Sequence, residues 1–455
     1  MNYSINFETK SISGWGRTNY SNARIYTPND IDQLKNLIDK EIHPLISRGL
    51  GRSYGDPAQC GEGNVIDTRN FNSLHLDQKS GVLLAGGGAR FSEILNYIVP
   101  RGFFLPVSPG TKNITVGGAI SSDVHGKNHH CDGSFANHVL QISLIDGQGK
   151  LRILSPFDIS TSEAFWATTG GMGLTGVIVE AKFKLISITS SQIKVHSQKF
   201  NDLNSLMESM KENDNYYRYS VAWIDSLSKN GRGILTQGDH ADSNEINYKN
   251  KNIYKEPLKY DEVKTPNTPS FFPNGILNNF TVTLFNKLWF AKTTNSLESE
   301  FQSIGTFFHP LDSLENWNRI YGSNGFIQYQ FVVPDKSSFL ISKILDSLKK
   351  IGAPSFLTVL KRFGKANKGH LSFPIEGWTL AIDVPAKIKG LLETLNSLDE
   401  LVANAGGRIY LAKDSRQSSK MFKKSYPRYE EWKFQKKILD PSNIFVSDLS
   451  RRLEI

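Results

Sequence analysis

Cysteine is nearly absent from this 455-residue chain, which carries only Cys60 and Cys131. A disulfide framework therefore does not stabilise the fold, and this suits a reducing compartment. Long apolar runs are missing too. A membrane-crossing helix needs roughly 20 consecutive apolar residues, and the most apolar stretch, 94–107, is broken by Pro100, Arg101 and Pro106. The first 15 residues are polar and lack the apolar centre of a signal peptide. No internal repeat occurs, no G-x-G-x-x-G turn opens a helix, and no nucleic-acid-binding module is recognisable. These absences point to a protein in the cytoplasm or held peripherally on the inner membrane, and they leave the periplasmic side open.

The length calls for two or three domains. A hydrophobic fraction of 39% and a charged fraction of 21% are ordinary for a globular protein. The 27 Phe, 16 Tyr and 7 Trp supply core and also flat apolar walls for a ligand. The net charge of +9 suits an anionic ligand, an acidic membrane surface or nucleic acid. It is concentrated over 408–437, where ten basic residues face only Asp414, Glu430 and Glu431. A solvated helix face explains such a run as readily as a binding site does.

Strand-like runs at 44–48, 65–68, 81–85, 140–145, 151–153 and 176–186 alternate with helical stretches at 91–99 and 163–168. This mixture predicts an α+β domain over 1–190. The polar stretch 237–269 is expected to be a long loop or partly disordered insertion that could act as a lid. Beyond it, an alternating strand is expected at 326–333, a helix at 336–351, strands at 355–362 and 377–384, and a helix at 391–405. Together they predict a second domain over 191–407, built on an antiparallel sheet with helices.

The chemistry lies in three glycine clusters. The first is Arg48, Gly49, Leu50, Gly51, Arg52, Ser53, Tyr54, Gly55 and Asp56. Glycine permits positive φ and close approach, so successive backbone N–H groups can cradle a pyrophosphate. Alone, a structural turn accounts for it equally well. The second cluster contains Gly110, Thr115, Val116, Gly117 and Gly118 and runs into Ser122, Asp123, Val124 and His125. The third is Gly170, Gly171, Gly173 and Gly176. One cluster is commonplace. Three within about 130 residues, bounded by strand-like runs, suit an extended dinucleotide.

In this order the clusters resemble the FAD-binding domain of the vanillyl-alcohol-oxidase (PCMH-type) superfamily. The C-terminal run at 437–445 is similar as well. Within that superfamily the chain resembles the decaprenylphosphoryl-β-D-ribose 2′-oxidase family, through residues 14–17, 49–56, 115–130, 165–176, 272–275, 309–312, 328–331, 371–375 and 412–416. The resemblance implies a two-subdomain FAD-binding domain, a substrate domain, and a segment at 408–455 that returns to the first domain. It places FAD contacts on residues 48–56, Gly110, Thr115, Val116, Gly117, Gly118, Ser122, Asp123, Val124, His125, Ile178 and Tyr410. Related sugar oxidases attach the flavin through a histidine in the first loop. Arginine at position 52 cannot form that bond, so non-covalent FAD is expected.

The resemblance also assigns an essential lysine to Lys413. Such a group could polarise a substrate hydroxyl, or take its proton if burial lowers its pKa. It further implies that Tyr54 and His125 take part in catalysis and that, with Lys127, Gln330 and Lys361, they line the substrate site. Actinobacterial members carry cysteine where this chain has Ala381 and asparagine where it has Thr379; the resemblance implies that both positions line the substrate pocket, so the preferred sugar or lipid is open to difference. His125, His129 and His130, with Asp123 and Cys131, match no standard zinc spacing, and no metal is expected. The expected reaction is FAD-dependent oxidation of the 2′-hydroxyl of a polyprenyl-phosphate ribose to the ketone, the first half of an epimerisation to the arabinose form. A separate NAD(P)H-dependent keto-reductase would complete it, and peripheral membrane contact would deliver the lipid. The alternative is an aldonolactone or alditol oxidase acting on free sugars with oxygen. A nucleic-acid-binding protein, the third possibility, leaves the glycine clusters unused.

Overall fold

The structure, a computed structural model, describes residues 6–39, 44–246, 256–260, 265–293 and 299–455. Two sheets carry the first part of the chain. In one, Phe7–Ser13 and Tyr20–Tyr26 pair antiparallel, and Asn64–Asp67 runs parallel to both Tyr20–Tyr26 and Leu45–Arg48. Leu45, Ile46, Val65 and Ile66 are wholly buried, and the first glycine loop leaves the carboxyl end of Leu45–Arg48. The other sheet is antiparallel, in the order Leu74–Asp77, Val82–Gly86, Val177–Lys184, Val139–Ile145, Leu151–Leu154. Against it packs the helix Phe91–Ile98, whose Phe91, Ile94, Leu95 and Ile98 form one apolar stripe. The hairpin expected at 140–153 is present, and so are the helices expected at 91–99 and 163–168, within a residue or two. The α+β class expected from the sequence is the observed one.

The second large unit is an eight-stranded antiparallel sheet. Its order is Glu300–Ser303, Gln192–Phe200, Gly233–His240, Tyr219–Ile224, Thr358–Phe363, Gly377–Pro385, Phe326–Val333, Arg408–Ile409. Strand Phe326–Val333 departs from the half-exposed alternation expected of it, because all eight of its residues are buried. The alternation separates two buried environments instead. Ile327, Tyr329, Phe331 and Val333 join the core under helices Phe339–Lys350 and Leu391–Asn404, whereas Gln328 and Gln330 face a cavity. The polar stretch at 237–269 is corrected at its start. Gln237 to His240 complete a strand paired on both sides, and helix Ser243–Ile246 follows. Side chains that read as loop find partners at the sheet: Asp239 accepts from the Arg218 amide, and His240 Nε2 meets the Tyr219 hydroxyl. Residues 247–255 and 261–264 of that stretch lie outside the described residues.

Part of the C-terminal basic run is not a solvated face. Lys436 is buried and donates to Leu174 O, Phe445 O and Asp440 Oδ2 at 3.0, 3.1 and 2.9 Å. Asp440 also accepts the amides of Ile444 and Phe445. This network docks helix Tyr429–Leu439 on the first unit, together with Trp432, which donates to Ala167 O. Removing one partner of a buried pair leaves an uncompensated charge. Lys436→Ala is expected to lower unfolding stability by about 3–5 kcal/mol in urea titration, against a smaller loss for a double Lys436→Met/Asp440→Leu replacement.

Candidate active site

Between the glycine loops and the concave face of the large sheet lies a cavity of about 1510 Å³. Its size exceeds the range of roughly 300–1,000 Å³ usual for one small ligand, and it has room for a cofactor beside a substrate. The first cluster forms one wall. Beyond Arg48 the N–H groups of Leu50, Gly51, Arg52 and Ser53 meet no acceptor among the described residues, so four donors are available to a ligand. Gly51 sits at φ +62°, and a Cβ on Gly49 would strike the Thr115 side chain, so close packing of the two loops requires glycine there. Thr115 caps the short helix Val116–Ser121 by accepting from the Gly118 amide. Asp312 holds the second loop to the unit built on the large sheet, accepting from Thr111 Oγ1 and the Lys112 amide at 2.7 and 2.8 Å. Ser108 meets His309 across the same seam.

Of the residues expected at the cofactor, Gly49, Leu50, Gly51, Arg52, Ser53, Tyr54, Gly110, Thr115, Gly117, Gly118, Ser122, Val124, His125, Ile178 and Tyr410 line the cavity. Arg48, Gly55, Asp56, Val116 and Asp123 stand behind its wall. Arg48 donates to Ser13 O and Ala58 O and braces the loop. Gly55 passes so close to the Asp414 carbonyl that no Cβ fits. Asp56 is gripped by Arg452, which also binds Asp414 at 2.9 Å, so one guanidinium ties the first loop to the residue beside Lys413. Buried Asp123 accepts from Ser134, Asn367, Ser372 and the Ala136 amide. Arg52 stacks on Trp15 at 3.8 Å, and its buried Nε has no partner. The free amides, the unpartnered guanidinium nitrogen and the tight glycines are the donor set that a dinucleotide pyrophosphate needs.

At the other end the sheet's alternation brings Gln328, Gln330, Val359, Lys361 and Ala381 to the cavity, with Lys413 arriving from the loop after Tyr410. Lys413 Nζ lies 3.5 Å from the centre of the Tyr54 ring. Burial holds its ammonium well below the ordinary lysine range; Asp383 opposes that shift and Lys361 adds to it. Burial raises the Asp383 carboxyl, against the Gln328 amide that hydrogen-bonds it and the charge of Lys413. Its second oxygen, Oδ2, is buried without a partner. Burial keeps the Tyr54 hydroxyl protonated, above its usual range. Asp383 and Gln328 were missed as site residues by the sequence reasoning. The available signal was one carboxylate inside the otherwise apolar strand Gly377–Pro385, paired in register with Gln328.

Lys127 and Lys361 are likewise half-buried in the cavity wall. Burial lowers the Lys127 ammonium to about 7 and the Lys361 ammonium to about 8. Lys127 donates to Phe307 O and lies 4.0 Å from the centre of that residue's ring. His125 is kept neutral by burial, by Lys361 and then by His129 and Lys413. Its Nε2 is 2.9 Å from Gln330 Nε2 and its Nδ1 is 3.2 Å from Lys361 Nζ. A neutral imidazole offers one acceptor nitrogen, so either Lys361 is an unprotonated amine or the Gln330 amide presents its oxygen. Thr379 does not line the cavity; it accepts from Gln330 behind it at 3.4 Å. The other histidines of the run serve structure: His129 accepts the Gly364 amide and His130 meets Tyr217 O. Among the described residues no three His, Cys, Asp or Glu converge as metal ligands.

Comparison with known proteins agrees with this architecture. Residues 23–155 match the FAD-binding domain family. The chain is similar to decaprenylphosphoryl-β-D-ribose oxidase of Mycolicibacterium smegmatis, at 38% identity over 456 residues and 98% of each chain. It is less similar to L-gulono-1,4-lactone dehydrogenase of Mycobacterium tuberculosis, at 20% identity over 89% of each chain. A FAD-linked oxidoreductase of Aspergillus niger matches at 26% identity over 36% of this chain and 34% of its own. With similarity running the full length of the fold and the dinucleotide cradle in place, the chain belongs to the decaprenylphosphoryl-β-D-ribose oxidase family and is a FAD-linked oxidoreductase.

Proposed function

We propose that the enzyme oxidises the 2′-hydroxyl of a polyprenylphosphoryl-β-D-ribose to the 2′-ketone. The observation that carries this reading is the convergence of half-buried Lys413, Lys361 and Lys127 in one cavity beside the dinucleotide cradle. A free neutral sugar gives such a cluster nothing to neutralise, whereas a sugar phosphate does. The free amides of 50–53 and the unpartnered Arg52 nitrogen would hold the pyrophosphate of non-covalent FAD, which would supply the hydride acceptor.

The protein's own groups handle position and proton. Lys127 and Lys361 receive the phosphate, and neutral His125 and Gln330 orient the ribose. Lys413, held over Tyr54, meets the reacting hydroxyl and takes its proton as a neutral amine. Asp383 tunes that step, since its charge favours the ammonium and its free oxygen can share the proton. Ala381 lines this space as a smaller side chain than cysteine and enlarges the room for the sugar or the first prenyl unit. On this reading 1–190 is the FAD-binding unit, 191–407 the substrate unit and 408–455 the returning segment. The ketone then passes to a separate NAD(P)H-dependent reductase, and the lipid arrives from a membrane surface. No helix among the described residues is long and apolar enough to cross a membrane.

Anaerobic addition of a polyprenylphosphoryl ribose should bleach the flavin, and acid precipitation should leave flavin in the supernatant. Lys413→Ala should stay yellow yet be reduced at least about 100-fold more slowly. An unbleached wild-type enzyme sinks the assignment. Since Lys413 acts as the neutral amine, reduction should accelerate as pH rises through neutrality, with a midpoint belonging to the Lys413–Asp383 pair. Asp383→Asn removes charge that favours the ammonium, so stopped-flow profiles should place its midpoint at lower pH. At pH 8 Lys127 and Lys361 are partly neutral, and an entering phosphate restores their charge. Substrate binding should therefore take up protons, measurable by calorimetry in two buffers of different ionisation heat.

A further inference from the structure

Helix Asn279–Lys292 contradicts the usual arrangement of a surface helix, in which the polar side faces water. Val282 and Asn286 point inward, Asn286 donating to Asp225 Oδ1 at 2.8 Å and to Ser355 O. Phe290 continues that stripe, clamped by Arg232 at 4.5 Å and Lys199 at 5.2 Å from its ring centre. At about 100° per residue the opposite face carries Phe280, Leu284 and Leu288. These are 78%, 50% and 62% exposed. The approach to the helix adds exposed Phe271 and Ile276. Apolar side chains gathered on one outward face are not the scattered singles of an ordinary surface.

Charge and position identify what covers this face. Residues 265–293 contain no Asp or Glu, and their only charged side chains are Lys287 and Lys292. By the same angular spacing the two lysines flank the outward apolar stripe on either side, where long cationic side chains reach phosphate headgroups while their stems stay in the apolar layer. A third side of the helix, through Phe285, Trp289 and Lys292, lines the cavity while remaining exposed, so the helix stands at the cavity's mouth. Phe285 and Trp289 stack at 6.1 Å, and Phe285 meets Phe356 edge-on, which prolongs the apolar surface into the opening.

We propose that the outward face of Asn279–Lys292 is a membrane-docking surface that lies in the headgroup layer of an anionic bilayer and opens the cavity toward the lipid. A polyprenyl chain could then stay in the membrane while its phosphate and sugar enter past Trp289. This rests on the reading of the substrate as a lipid phosphate. An interfacial helix of this kind binds through buried apolar area together with attraction between lysines and anionic lipid.

The test uses the full-chain holoenzyme with phosphatidylcholine vesicles containing about one-third phosphatidylglycerol. Wild type should float with these vesicles, less so as salt is raised. Phe280→Ser/Leu284→Ser/Leu288→Ser should lower the partition coefficient at least about tenfold. Its flavin content and its flavin reduction by a water-soluble short-chain polyprenylphosphoryl ribose should be unchanged. Independently of that variant, an environment-sensitive fluorophore on Leu288→Cys, in a Cys131→Ser background, should brighten and shift to the blue on vesicle addition. The same label on Ile159→Cys, exposed on the other unit, should not. Equal vesicle binding by wild type and variant overturns the proposal, and so do equal responses from the two labels. A vesicle-free dimer that the triple substitution dissociates makes the face a subunit contact and also overturns it. Failure of the short-chain substrate to bleach the flavin, with vesicle binding intact, removes the substrate reading and leaves the docking face standing.

Discussion

Bringing Lys127, Lys361 and Lys413 into one partly desolvated space raises the free energy of the empty enzyme, because each ammonium loses hydration and Lys361 repels the other two. Much of the surrounding architecture makes this tolerable. Tyr54 offers its ring face to Lys413, Phe307 offers its ring and carbonyl to Lys127, and the raised Asp383 carboxyl stands near Lys413. The lowered lysine pKa values relieve what remains by releasing protons. On the proposed reading, a phosphate entering this space would meet donors that were already costly to keep dry, and binding would recover free energy stored when the chain folded.

The sheet makes that placement possible. Its alternation sends Ile327, Tyr329, Phe331 and Val333 under the helices and sends Gln328 and Gln330 into the cavity. The same register sets Asp383 opposite Gln328, Ala381 opposite Gln330 and Thr379 opposite Lys361. A one-residue slip would move the polar side chains into the hydrocarbon core and turn the aromatic ones toward substrate. The site geometry is therefore enforced by core packing on the sheet's other face.

Legibility in the sequence followed the physics of each element. Six strands of the first unit, from Leu45–Arg48 to Val177–Lys184, and the helix Phe91–Ile98 were readable from their apolar runs, whereas the more exposed Phe7–Ser13, Tyr20–Tyr26 and Leu74–Asp77 were not. Glycine clusters were readable because few other residues fit where loops touch, as at Gly49 against Thr115. Strand Gly233–His240 was hidden by polar side chains that find partners only across the sheet. The full burial of Phe326–Val333 was hidden because one of its faces borders a cavity formed by residues some 200 positions away. Asp383 escaped for a related reason: a single acid in an apolar strand acquires meaning only when Gln328 and Lys413 are known to face it.

Arg452 holds Asp56 of the first glycine loop with one edge and Asp414, next to Lys413, with the other. Chains are synthesised from the N-terminus at roughly 5–20 residues per second, and early units fold first. The cradle's sheets can form while the ribosome is still extending the chain, but the buckle that fixes the first loop against the Lys413 segment is translated some 400 residues after the loop it fastens. The final geometry of the cradle thus waits for helix Asp448–Leu453 to emerge, and until then nothing clasps the loop to that segment.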